Sequence, residues 1–171
     1  MKAIWRYGWL IASVLAVTVA AADLWETDFA KAQETARKTN RYLLLDFSGS
    51  DWCGWCIRLD REVFSQDAFK KYAAENLVCV LLDFPRSKQL DQQLREQNEK
   101  LRKKFHVTGF PTVIILSPTG DKVAETGYQP GGAEKYVEHL GGFIDPHRKK
   151  HNIPAPTPTA APPNPEKKSA E

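Results

Sequence analysis

The sequence predicts an α/β domain with a central mixed β-sheet flanked by helices. Three observations carry that prediction. Short apolar runs at 42–47, 77–84 and 113–116 have the length and composition of buried strands. The segments between them repeat apolar residues at helical spacing. A Pro118-Thr119-Gly120-Asp121 turn then joins the third run to 122–126, a candidate antiparallel partner. Strands separated by helices imply crossovers and parallel pairing, with the final hairpin adding an antiparallel edge.

The chain begins with Lys2 and Arg6, an uncharged run over 9–22, and Ala20-Ala21-Ala22 before Asp23. That order matches a cleaved secretory signal over 1–22. The run falls short of the roughly 20 apolar residues of a comfortable membrane span, so an uncleaved anchor is the second reading. Phe29, Ala32 and Ala36 then share one face of a helix within 25–40, with Thr27 or Asp28 as its cap. The strand at 42–47 ends in the polar turn Ser48-Gly49-Ser50-Asp51. Helical spacing resumes from 54 to about 72, and Ser65 and Asp67 divide it into two pieces. After the strand at 77–84, closed by Pro85, Leu90, Leu94, Leu101 and Phe105 share a face of a charge-rich helix. That charge reads as a solvated outer face. Gly131 and Gly132 introduce a last helix from Ala133 to about Ile144.

The domain is therefore expected over 23–146. Residues 147–171, with Pro154, Pro156, Pro158, Pro162, Pro163 and Pro165, form a Pro-rich tail with almost nothing to bury, expected to be disordered or an extended spacer. Among 171 residues, removing Lys2 and Arg6 from the 24 basic residues leaves 22 against 21 acidic ones. Charge thus argues for no nucleic-acid or membrane-surface partner.

Three cysteines cannot make a stapling framework. Cys53 and Cys56 form a Cys-Gly-Trp-Cys motif directly after the first strand and its turn. Cys53 would then sit at a helix N-terminus, where free N–H groups stabilise a thiolate, with Cys56 one turn deeper. This asymmetry makes Cys53 the attacking sulfur and Cys56 the resolving one. A structural disulfide of such short reach would constrain the unfolded chain little. A zinc site needs four ligands, and neither a second Cys-x-x-Cys nor a close Cys/His pair is present. Two thiols carrying a soft metal such as copper remain a binding-protein alternative. Cys79 lies inside an apolar run and reads as core. His106 reads as a helix end, and His139, His147 and His151 have no convergent partners.

The segment Leu43-Leu44-Leu45-Asp46-Phe47, followed by Trp52-Cys53-Gly54-Trp55-Cys56 and later Gly109-Phe110-Pro111-Thr112, resembles the thioredoxin superfamily. The run DFSGSDWCGWCIRLDREVF is similar to its exported bacterial members, and the likeness covers about 25–144. The resemblance implies a thioredoxin fold and thiol-disulfide exchange. It assigns Pro111 to the family's cis-proline and Phe110 to backbone pairing with an extended substrate. It also assigns Asp46 to the buried acid that takes the proton of Cys56, and Trp52 to the aromatic shield. Trp55 replaces the proline of thioredoxin between the cysteines and adds an aromatic surface for substrate. Asp51 is a rival acid, read here as a helix cap.

These readings lead to a periplasmic protein-disulfide reductase acting on cysteine-containing proteins, with no bound cofactor, no metal and a redox-recycling partner, soluble or membrane-bound, that the sequence does not name. A disulfide oxidase or isomerase, a copper carrier and a chaperone-like module remain alternatives.

Overall fold

The computed structural model describes residues 24–157. The expected signal segment, and the tail beyond 157, lie outside the described residues.

Strand β1 (Trp25–Glu26) and helix α1 (Phe29–Thr39) open the domain, followed by β2 (Tyr42–Ser48) and α2 (Gly54–Leu59). A π-helical turn (Asp60–Phe64) extends α2 before α3 (Asp67–Asn76) and β3 (Leu77–Asp83). Then come α4 (Gln92–Lys104), β4 (Thr112–Leu116), β5 (Lys122–Thr126) and α5 (Gly132–Lys150). The five strands form one mixed sheet in the order β1-β3-β2-β4-β5. Asp28 caps α1 by accepting from Lys31 N–H at 3.1 Å, and Asn40 ends it in the left-handed region.

Strand β2 is buried along its whole length at the centre of the sheet. Its pleat sends Tyr42 and Leu44 into a core formed with α2, α3 and α5, which includes Leu59, Phe69, Tyr136 and Leu140. Leu43, Leu45 and Phe47 point to the other face, against α1 and α4 through Ala32, Ala36 and Leu101. Each fully buried large apolar side chain contributes roughly 1.5–3 kcal/mol. Two such layers hold β2 from both sides, and period 2 assigns Asp46 to the face covered by α2.

Three expectations need correction. The third predicted strand, β4, pairs antiparallel with β2, with Phe47 opposite Thr112 and Leu43 opposite Leu116, so it is no crossover strand. An intervening helix does not fix the end at which a chain re-enters the sheet, and here it re-enters at the carboxyl end of β2. The N-terminal helix begins at Phe29 behind Asp28, one of its two expected caps, and ahead of it Trp25–Glu26 pairs parallel with β3 as an edge strand too short to show a period. Leu90 lies ahead of α4, which Asp91 caps.

The third correction concerns the last helix, which runs to Lys150 rather than ending near Ile144. Tertiary contacts hold the turn beyond Pro146. Tyr42 Oη and His147 Nδ1 are 3.0 Å apart, and Arg148 donates to Asn40 O and Pro154 O. Residues 151–157, grouped with the spacer by composition, return along the domain. Ile153 packs against the core and Thr157 N–H reaches Thr39 O at 2.9 Å. No helix among the described residues is long and apolar enough to cross a membrane.

Candidate active site

The turn after β2 builds the site. Gly49 O accepts from Trp52 N–H and Cys53 N–H at 3.2 and 2.9 Å, turning the chain into α2. Cys53 itself is the N-cap, and its Sγ accepts from Cys56 N–H at 3.2 Å. A helix-terminal N–H aimed at sulfur is the arrangement that stabilises a thiolate once the pair is reduced. The two sulfurs are bonded, with Cα atoms 5.2 Å apart, and Cys53 is slightly more exposed (7%) than Cys56 (4%).

Asp51, expected to cap the helix, does not. Its carboxylate accepts from Arg86 N–H and from the N–H and hydroxyl of Ser87, which hold it down at about 2. An acid so well solvated by donors ties the dithiol loop to the segment after β3 and is a poor proton acceptor. Ser50 makes a parallel tie, its N–H and Oγ donating to Asp83 at 3.0 and 2.7 Å.

Asp46 has the opposite environment. It is buried in mid-strand, and its Oδ1 meets no hydrogen-bond donor among the described residues. Burial, followed by the charges of Asp60 and Asp83, pushes its carboxyl up to about 8. Asp46 and Cys56 line the same crevice. A carboxyl raised this far that lines the same crevice as Cys56 is suited to hold and release a proton.

The aromatic residues form a collar. Trp52 donates Nε1–H to Phe84 O at 2.8 Å, meets Phe110 edge-on at 6.0 Å and carries the Arg86 guanidinium 3.7 Å above its ring. Phe110 precedes Pro111 through a cis peptide. On the other flank Trp55 lies against Tyr128 at 5.2 Å, two residues beyond Thr126, the end of β5. Arg58 sits over both rings and donates Nε–H to Glu62, which also accepts from Tyr128 Oη at 2.6 Å. These donors hold the Glu62 carboxyl below its usual range. The Pro111 carbonyl abuts Gly127, where a Cβ would come within 3.1 Å of it. Trp52 thus meets Phe110, and Trp55 meets Tyr128 next to the Gly127 that the Pro111 carbonyl abuts, which brings Phe110 and Pro111 to the face of the dithiol. Among the described residues the exposed large apolar side chains are Trp52, Trp55 and Ile57, all beside the dithiol.

Sequence reasoning missed Asp60, Arg58, Glu62, Tyr128, Phe84 and Arg86. Only the Arg58–Glu62 spacing left a local trace. Cys79 is buried in β3, where burial pushes its thiol up, and His106 takes a left-handed conformation just after α4. Among the described residues no three His, Cys, Asp or Glu side chains are grouped to hold a metal.

A bonded cysteine pair at a strand–helix junction of this fold defines a thiol-disulfide oxidoreductase. Residues 29–141 match the thioredoxin-like domain family, and the chain belongs to that family. It is 34% identical over 122 residues to the disulfide bond reductase DsbH of Chlamydia pneumoniae, covering 71% of this chain and 74% of that protein. It is 32% identical over 94 residues to the thioredoxin-related protein DsbJ of the same organism, covering 55% of this chain but only 27% of that longer protein. The solved structure of a DsbH oxidoreductase superposes with a TM-score of 0.69 at 29% identity, covering 81% of this chain and 95% of the other.

Proposed function

We propose that this chain is an exported protein-disulfide reductase, with Cys53 as nucleophile and Cys56 as resolving thiol. The observation that carries the reading is the Cys53 sulfur at the α2 N-terminus, receiving the Cys56 N–H, with the buried Asp46 behind. In the reduced protein the Cys53 thiolate attacks a substrate disulfide and forms a mixed disulfide. Cys56, deprotonated by Asp46, then displaces the substrate thiol and closes the pair. Trp52, Trp55, Phe110 and Pro111 receive the substrate segment around the reacting sulfur, with Phe110 offering backbone for strand-like pairing. The reductase direction draws support from the name of the Chlamydia relative. Export draws support from the order of charge, apolar run and small residues over 1–22. Cysteine-containing proteins are the substrates, a separate redox partner returns the electrons, and the Pro-rich end acts as a spacer.

The test combines trapping with a potential. Reduced Cys56→Ser protein should accumulate covalent adducts through Cys53 with disulfide-bearing proteins. An absence of adducts would leave only a binding module or metal carrier. Equilibration of the wild-type pair against dithiothreitol should give a potential near that of thioredoxin, about −270 mV, while a value near the roughly −120 mV of a strong periplasmic oxidant would replace reduction by disulfide donation.

A further inference from the structure

Two indole–guanidinium pairs flank the dithiol. Arg58 lies over Trp55 at 5.4 Å on one side, and Arg86 lies over Trp52 at 3.7 Å on the other. The cations of this face differ in what balances them. Arg58 and Arg61 both bond Glu62, at 2.9 and 3.5 Å, and Lys88 meets Asp83 at 3.0 Å. Asp51 accepts from the main-chain N–H of Arg86 and not from its guanidinium. Of these four cations Arg86 alone meets no carboxylate among the described residues, and it is exposed.

Both ends of the Arg86–Trp52 pair are anchored. Asp51 fixes the main chain of Arg86, and Trp52 Nε1–H donates to Phe84 O at 2.8 Å. Trp52 also meets Phe110 edge-on at 6.0 Å, and Phe84 stacks on Phe110 at 5.0 Å. Arg86 is thus linked through one indole to the residue that precedes the cis-proline. A guanidinium lying over an aromatic face has little freedom left to lose, and its planar fork matches a carboxylate with two parallel N–H···O bonds.

We infer that Arg86 is a specificity-determining residue of the exchange reaction, pairing with an acidic side chain next to the reacting cysteine of the substrate protein. The inference rests on the exchange reading above. An extended segment laid along Phe110 brings its cysteine to Cys53, and Trp52, directly before Cys53, holds Arg86 at the flank of that segment. A Glu or Asp beside the substrate cysteine completes the ion pair that this chain leaves open, and a Lys there is repelled by the same charge. The other flank has no such preference, because Glu62 already balances Arg58 and takes the Tyr128 hydroxyl at 2.6 Å. Trp55 and Ile57 offer apolar contact on that side.

The experiment uses the full reduced chain and disulfide-linked peptide dimers that differ only in the residue beside the cysteine, which is Glu, Gln or Lys. Stopped-flow tryptophan fluorescence follows oxidation of the dithiol. Each second-order rate constant is divided by that of dithiothreitol on the same peptide, which removes the intrinsic effect of charge on the disulfide. The Glu peptide should react about fivefold faster than the Gln peptide at low ionic strength, the upper range for an exposed ion pair. That lead should shrink in about 0.5 M salt. Arg86→Gln should bring the ratio to about one, and Arg86→Glu should reverse the order in favour of the Lys peptide. Lys88→Gln, which removes a cation already paired with Asp83, should keep the ratio. Equal rates for the Glu and Gln peptides with the wild-type chain would overturn the inference. So would an Arg86→Gln protein that slows on all three peptides alike and keeps their ratio, which marks a structural role. If the wild-type chain is oxidised by none of the peptides, the proposed function fails instead.

Discussion

Replacing Asp46 by Asn should make the oxidised protein more stable at neutral and alkaline pH. The folded carboxyl titrates near 8 against an ordinary value of 3.8, so between those limits the native state holds a proton that the unfolded state has released. Stability from this group is therefore complete below about pH 4 and is lost as pH rises toward 8, at about 1.4 kcal/mol per pH unit. At pH 7 the accumulated loss is on the order of 4 kcal/mol. Asn keeps the shape and removes the ionisation, but leaves a buried amide without a partner, which costs roughly 1–3 kcal/mol at every pH. The two stability curves should cross between about pH 4.5 and 6, with the variant ahead above the crossing. Urea unfolding from pH 5 to 9 measures this directly. The oxidised form suits the assay because the bonded cysteines do not titrate, and Cys79 contributes equally to both proteins. A stability difference that stays constant across that range would show that Asp46 ionises normally, and would remove the physical basis for its role as proton acceptor.

Two further substitutions probe the collar and the loop tie. A Cβ at Gly49 would lie 2.5 Å from the Trp52 ring. Gly49→Ala should therefore cost about 1–3 kcal/mol in chemical unfolding and alter tryptophan fluorescence, as Trp52 loses its bond to Phe84 O. Asp51 is held near 2, so it stabilises the fold above about pH 4 and that contribution is lost as pH falls toward 2. Asp51→Asn should lower stability at pH 7 and flatten the loss on acidification over that window, read as Tm by calorimetry from pH 7 to 2.

The parts of the fold that were legible are those encoded within a few residues. Tyr42 to Phe47 is apolar apart from one acid, as a strand buried on both faces must be, and Cys-Gly-Trp-Cys directly after a polar turn specifies a strand–helix junction. The direction of β4 was not legible, because helical spacing in 92–104 says nothing about where the chain re-enters the sheet. Nor was the fate of Asp51. Its chain position suits a cap, but Cys53 takes that place and the carboxylate finds donors 35 residues away. Tyr128 illustrates the same limit: its ring and hydroxyl meet Trp55 and Glu62 only because β5 returns beside the dithiol. Asp60 carried no motif, although it stands one helical turn after Cys56 and lines the same crevice.

The collar also bears on how long a partner stays. Two indoles and one isoleucine, each already part-buried, offer roughly 1–2 kcal/mol apiece on being covered. Their sum is near 4 kcal/mol, which even before the cost of association corresponds to a dissociation constant no tighter than about 1 mM. So small an adhesive patch would let go of a substrate soon after the covalent link is broken, and residence on this surface would be timed by the mixed disulfide rather than by the grip of the aromatic rings.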